Sequence, residues 1–269
     1  MARVPGSHFL RNLVERRNLL FQLVRRDFTQ RFVGSTAGWL WGVIHPLVLL
    51  VSWTFVFQYC LHAKLGPHEI TQNYPLFLFA GFLPWLLFQE TVQRSAASLI
   101  EHQNLITKTV FPAEVIPVSI FLSSLVSHLI ALGLALGAIG IWERHFSPMV
   151  LFLPLYMLLL GLFAVGVAWI VSSLNVYLRD AAQALSVILT FWFWITPIFI
   201  GESQYPRRAR VLLHLNPLAS MVRAYRERLL GSQWPSPVEI AVLAAWGIAV
   251  FVAGGLFFRH LKRGFADVL

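Results

Sequence analysis

The sequence predicts an all-α polytopic membrane protein with six transmembrane helices, an N-terminal amphipathic interfacial helix, and two short re-entrant helices before the last span. Three observations carry this. Of 269 residues, 57% are hydrophobic and only 12% charged, against about 25% charged in an ordinary soluble domain. The apolar residues fall in runs nearly free of Asp, Glu, Lys and Arg, close to the roughly 20 residues a helix needs to cross a bilayer core. The net charge of +9 is distributed loop by loop, as membrane topology requires, which separates it from a nucleic-acid-binding surface.

Residues 1–38 are read as a cytoplasmic segment. Leu10, Leu13, Val14, Phe21, Val24, Phe28 and Phe32 recur at helical spacing there, and Arg16, Arg17, Arg25, Arg26 and Arg31 lie largely elsewhere on the wheel. That is the pattern of a helix lying in the interface, serving as a positive-inside anchor, a docking element or both. The transmembrane domain, 39–258, contains spans at about 39–61, 74–92, 115–141, 149–174, 181–200 and 238–258. Between the second and third spans, residues 93–111 alternate polar and apolar groups and are too short and too polar to cross. Between the fifth and sixth, Pro206, Asn216-Pro217 and Gly231 divide residues 205–230 into two short pieces, about 205–215 and 218–230. The tail, 259–269, is read as cytoplasmic.

Charge sets the orientation. The stretch before Trp39 holds seven arginines; with Arg94, Lys108, Arg179, Arg259, Lys262 and Arg263 one side receives thirteen basic residues, against Lys64 and Arg144 on the other. Both termini are therefore expected on the cytoplasmic side. The fifth loop departs from the rule, since Arg207, Arg208, Arg210, Arg223, Arg226 and Arg228 would all lie outside. A seventh span there would carry charges and a proline, so the expectation is a pair of helices dipping into the outer leaflet, their arginines turned to headgroups, water or anionic cargo. The first apolar run begins too late for a signal peptide, and no cleavage is expected.

Several chemistries are missing from the sequence. Cys60 is the single cysteine, and there is no CxxC pair, so neither a disulfide framework nor a metal site is expected. No GxxxxGK[ST] run occurs, so any ATP hydrolysis belongs to another chain. The spans hold almost no ionisable groups of the kind ion-coupled transporters use. His45 and His128 are the deepest, read as helix–helix hydrogen-bonding residues. His68 with Glu69, and Glu143 with His145, are read as decorations of solvated turns. A membrane glycosyl- or acyltransferase would need a convergent catalytic set, and none is present at persuasive spacing.

Four strings in order then resemble one family. RDFTQRFVGSTAGWLWGVIHP at 26–46, NLITKTVFPAEVIPVS at 104–119, NVYLRDA at 175–181 and NPLASMVRAYRERLLG at 216–231 resemble permeases of ABC-type polysaccharide and polyol-phosphate exporters. The first external loop, HAKLGPHEITQN at 62–73, is short, which favours the polysaccharide branch over drug and sterol exporters. His45 stands where the family pattern suggests an amide or carboxylate.

The resemblance implies a multi-pass protein of the bacterial inner membrane, working as a homodimer with two copies of an ABC ATPase. That partner would bind ATP and Mg, and this chain would have no cofactor and no enzymatic activity. The implied cargo is a polysaccharide linked to undecaprenyl diphosphate or another lipid, with O-antigen ranked before capsule and teichoic-type polymers. Rival readings are the transferase and an ATP-independent lipid flippase.

By the same resemblance, 93–111 is the coupling segment, with Glu101, His102, Gln103, Asn104, Leu105 and Lys108 facing the ATPase and Arg26 and Asp27 as second contacts. Trp39, Trp41, Trp85 and Phe88 are conduit candidates, because aromatic rings stack on the C–H faces of sugars. Arg31, with Arg26, is a candidate for pairing with a carrier diphosphate. Arg207, Arg208, Arg210, Asn216, Pro217 and Arg223 are expected to form an outer gate.

Overall fold

The computed structural model describes residues 17–30, 40–67, 69–108, 111–144 and 146–268. Arg31, Trp39, His68, His145 and the first part of the amphipathic segment lie outside the described residues. The elements are α1 (Arg17–Gln30), α2 (Trp41–Thr54), α3 (Tyr74–Glu101), α4 (Gln103–Lys108), α5 (Val115–Trp142), α6 (Leu153–Tyr177), α7 (Ala181–Ile195), α8 (Arg207–Leu215), α9 (Pro217–Leu230), α10 (Pro237–Leu261) and α11 (Phe265–Val268). A π-helical turn, Phe55–Cys60, continues α2, and a 3-10 turn, Pro148–Phe152, precedes α6.

Five of the described helices are long and apolar enough to cross a membrane: Trp41–Cys60, Tyr74–Glu101, Val115–Trp142, Pro148–Tyr177 and Pro237–Gly264. The expected span at 181–200 is shorter. α7 has 15 residues, about 22 Å at 1.5 Å per residue, below the roughly 30 Å of a hydrocarbon core. It stops because Thr196 precedes Pro197 and is extended, with φ −75° and ψ 134°, the conformation a following proline imposes. The second span is longer than its hydropathy predicts. α3 continues past residue 92 to Glu101, because Ser95, Ala96, Ser98 and Leu99 are buried against neighbouring helices.

α3 is the central element: 78% of its most apolar stretch is buried, against 17% for that of α10 and 6% for that of the first span. It packs on α5, α6, α7 and α9. α10 lies along α6 at very close range, where a Cβ on Gly254 would stand 2.2 Å from the Gly166 carbonyl oxygen and one on Gly166 would stand 2.5 Å from that of Val250. Such small-residue seams let backbones approach where lipid removes the hydrophobic drive between helices.

Hydrogen bonds and ring contacts sort the connections to two ends of the bundle. At one end, Thr71 meets Glu143, Tyr74 meets Phe199, Ser203 meets Glu69, and Phe152 meets Trp234. At the other, Asp27 meets Arg94, Tyr177 meets Leu261, and Lys262 meets Glu114.

Candidate coupling surface, cleft and outer joint

The candidate coupling residues sit where α3 ends. His102 closes the helix, its Nδ1 2.8 Å from the Ser98 carbonyl oxygen, and its backbone carbonyl accepts from Leu105 at 2.9 Å. The chain thereby turns into α4, on which Gln103, Asn104 and Lys108 are exposed and Leu105 is half-buried; Glu101 is exposed just before it. α1 lies close by. Arg94 donates to Asp27 at 2.5 Å, and Arg26, Asp27 and His102 border one small cleft with Ile116 and Ser119. The structure thus brings the first-segment and coupling-segment candidates to one surface, with Arg26 exposed.

A cavity of about 600 Å³ opens between α2, α3, α5 and α7, bordered by Trp41, His45, Gln89, Gln93, Arg94 and His128 among others. Trp41 is exposed and stands at this cleft. Trp85 and Phe88 do not line it. They are 1% and 0% exposed, packed inside the bundle with the Trp85 ring 5.3 Å from Phe193 and Phe88 5.5 Å from Phe163. A different aromatic group gathers where α2 and α7 end. Phe199 stacks on Phe57 at 4.4 Å and on Trp194 at 5.3 Å, with Trp53 4.9 Å away. Phe55 and Tyr59 of the π-helical turn and Phe191 and Trp194 of α7 are exposed. FWFWITPIF at 191–199, with five rings in nine residues, was the available signal.

The joint at Asn216-Pro217 is built from side-chain hydrogen bonds. Asn216 Oδ1 caps α9 by accepting from Leu218 N at 3.1 Å and also accepts from Trp192 Nε1 at 2.9 Å. Its Nδ2 donates to Thr196 Oγ1 at 3.2 Å. Pro217, at the first helical position, needs no donor there. One side chain therefore ties the end of α7 to the start of α9. Arg207, Arg208 and Arg210 are exposed on α8; Arg210 donates to the Tyr205 and Ser203 carbonyls. Arg223 pairs with Glu202 at 3.0 Å.

Arg226 and Arg228 overturn the expectation that the loop's arginines face headgroups or cargo. They are 5% and 0% exposed. Arg226 donates to the carbonyls of Phe77 at 3.1 Å, Pro197 at 2.7 Å and Ile198 at 2.5 Å, with its guanidinium 3.6 Å above the Phe77 ring. A Cβ on Gly81 would lie 2.5 Å from its Nη2, so glycine makes the space. The guanidinium stays charged at neutral pH. Arg228 donates to Gln233 O and Glu227. For Arg226 the physical reason is that a planar fork with five donors satisfies the Pro197 and Ile198 carbonyls, which the break after α7 leaves without helical partners. Val222, Tyr225, Arg226 and Leu229 recur at i, i+3, i+4 and i+7, and that spacing was the signal for an inward Arg226. Tyr225 also shares a 3.2 Å hydrogen bond with His128, which joins α5 to α9.

Fold and site together define a multi-pass helical membrane protein with a short polar surface helix between two of its long helices. Residues 18–230 match the family described as ABC-2 type transporter, and the chain belongs to that family. Among its relatives is an O-antigen export system permease protein RfbA of Myxococcus xanthus, 27% identical over 96% of this chain and 98% of its own length. A protein of the same name from Klebsiella pneumoniae is 29% identical over 94% and 95%. The polysialic acid transport protein KpsM of Escherichia coli is 23% identical over 88% and 91%.

Proposed function

We propose that this chain is the membrane subunit of an ATP-driven exporter of a lipid-linked polysaccharide, O-antigen foremost, acting as a homodimer with two copies of a separate ATPase in a bacterial inner membrane. The observation that carries the reading is the relationship to O-antigen export permeases over nearly the whole of both chains. The two-ended arrangement of the connections supports six passages, the fifth being α7 extended by the aromatic turn to residue 200. α8 and α9 would then be the re-entrant pair at the outer mouth.

In this mechanism the ATPase presses on Glu101, Gln103, Asn104, Leu105 and Lys108. The rigid α3 carries the displacement inward, and α1 follows through the Arg94–Asp27 pair. Trp41 and the exposed rings of Phe55, Tyr59, Phe191 and Trp194 offer faces to sugar between two copies, while Trp85 and Phe88 support the wall from behind. Arg31 and Arg26 would meet the carrier's phosphates on the cytoplasmic side. Arg207, Arg208 and Arg210 form the exposed rim of the gate, and Asn216, Pro217 and Arg223 its hinge.

The test is co-purification and export. The chain alone turns over no ATP; with its ATPase it does, and it restores surface O-antigen to a permease-deletion strain. Glu101→Lys and Leu105→Asp leave insertion and ATP turnover in place but lower export by about tenfold or more, a step of roughly 1.4 kcal/mol in coupling. Normal export in both variants removes the coupling assignment. Restoration of a capsule strain alone moves the cargo to the second reading, which the KpsM relationship supports.

A further inference from the structure

The family match ends at residue 230, yet the chain beyond it returns to the coupling segment. We infer that the cytoplasmic end of α10, together with α11, is a clasp that positions this segment, with Lys262, Glu114 and Phe265 as positioning residues. The inference rests on the reading of Gln103–Lys108 as the coupling helix.

Glu114 lies between that helix and α5 and is 5% exposed. A carboxylate so buried needs a partner, and it has Lys262, whose Nζ is 2.5 Å from its Oε2. Its backbone carbonyl accepts from Trp169 Nε1 at 3.0 Å, so the residue is held from α6 and from the end of α10 together. Three residues further on, Phe265 is 1% exposed. Its ring is 5.5 Å from Phe258 and 6.2 Å from Tyr177, and Tyr177 Oη donates to Leu261 O at 2.8 Å.

Phe265 belongs to an apolar cluster, separate from the main core, that includes Leu99, Ala113 and Ile116 and against which Ile106 of α4 and Phe111 pack. The short α11 touches α4 directly. α4 has only six residues, too few to hold its own shape in water. What fixes it is this cluster, and the cluster's floor comes from the chain's other end. A push on Leu105 is thereby passed to α3 and, through Phe265 and Lys262, to α10.

The test uses the assembled transporter in inside-out vesicles, with Cys60→Ser and Ala113→Cys as reporter, Ala113 being fully buried. Lys262→Met and Glu114→Gln raise the rate of maleimide labelling at position 113 by about tenfold or more, because breaking the pair at the buried Glu114 opens its site locally. They also raise ATP consumed per unit of polymer exported several-fold. Lys262→Arg restores both values, which a general loss of folding would not allow. Unchanged labelling in Lys262→Met overturns the clasp. Increased labelling with an unchanged ratio of ATP to export overturns the positioning role. If the parent protein exports no polymer, the proposed function fails, and the labelling arm still decides the clasp.

Discussion

Arg226 ties α9 to α3 and to the segment after α7. Its three acceptors include Pro197 O and Ile198 O, which lie after α7 and outside any helix. Arg226→Ala leaves these carbonyls without donors in a dry site, each costing about 1–3 kcal/mol. The expected loss is at least about 2 kcal/mol, seen as a lower unfolding midpoint in detergent. Arg226→Lys keeps the charge but lacks the fork, so its midpoint falls between. Equal midpoints for the parent and Arg226→Ala would show that these bonds contribute nothing net. Arg207 and Arg208, exposed on α8, tolerate alanine within about 0.5 kcal/mol and so provide the internal control.

At the scale of elements, the α6–α10 seam holds a helix that little else holds, since only 17% of its most apolar stretch is buried. Gly254 faces the Gly166 carbonyl with no room for a Cβ. Gly254→Leu must push the helices apart, losing the dispersion contacts of the Phe251–Trp169 pair, whose rings are 4.8 Å apart. Overpacking of this kind costs about 1–3 kcal/mol. The measurement is protease resistance of α10 in membranes, with faster cleavage near the 231–236 connection than in the parent; Gly255→Ala, with only ordinary contacts around its added methyl, leaves it unchanged. Identical cleavage in Gly254→Leu would mean that the seam is not close-packed.

At the scale of the whole molecule, the anomalous basic loop is where the proposed topology is tested. Moving charge against the membrane potential costs about 2.3 kcal/mol per charge per 100 mV, so the six-passage topology proposed above, which puts six arginines outside, needs compensation. Arg226 and Arg228 are covered by protein, and Arg223 is paired with Glu202; only part of the charge is left to face water. Cysteines at Arg208 and Ser232, both exposed, in a Cys60→Ser background should react with an impermeant thiol reagent from the periplasmic side. Labelling only from the cytoplasm would refute both the gate and the six-passage topology.

Length, hydropathy and proline placement are local properties, and they sufficed for the helical class, the five long helices and the break at Asn216-Pro217. Motif order sufficed for the family. The direction in which a side chain points depends on what lies beside it. Arg226 turns inward because α7 ends early and exposes carbonyls, α3 runs on to Glu101 because other helices cover it, and Trp85 is interior because Phe193 reaches it from α7. Glu114 and Lys262, 148 residues apart, carry no mutual signal in the chain. Only folding puts them within 2.5 Å, since contact between distant residues is set by how helices pack and not by the composition of either helix.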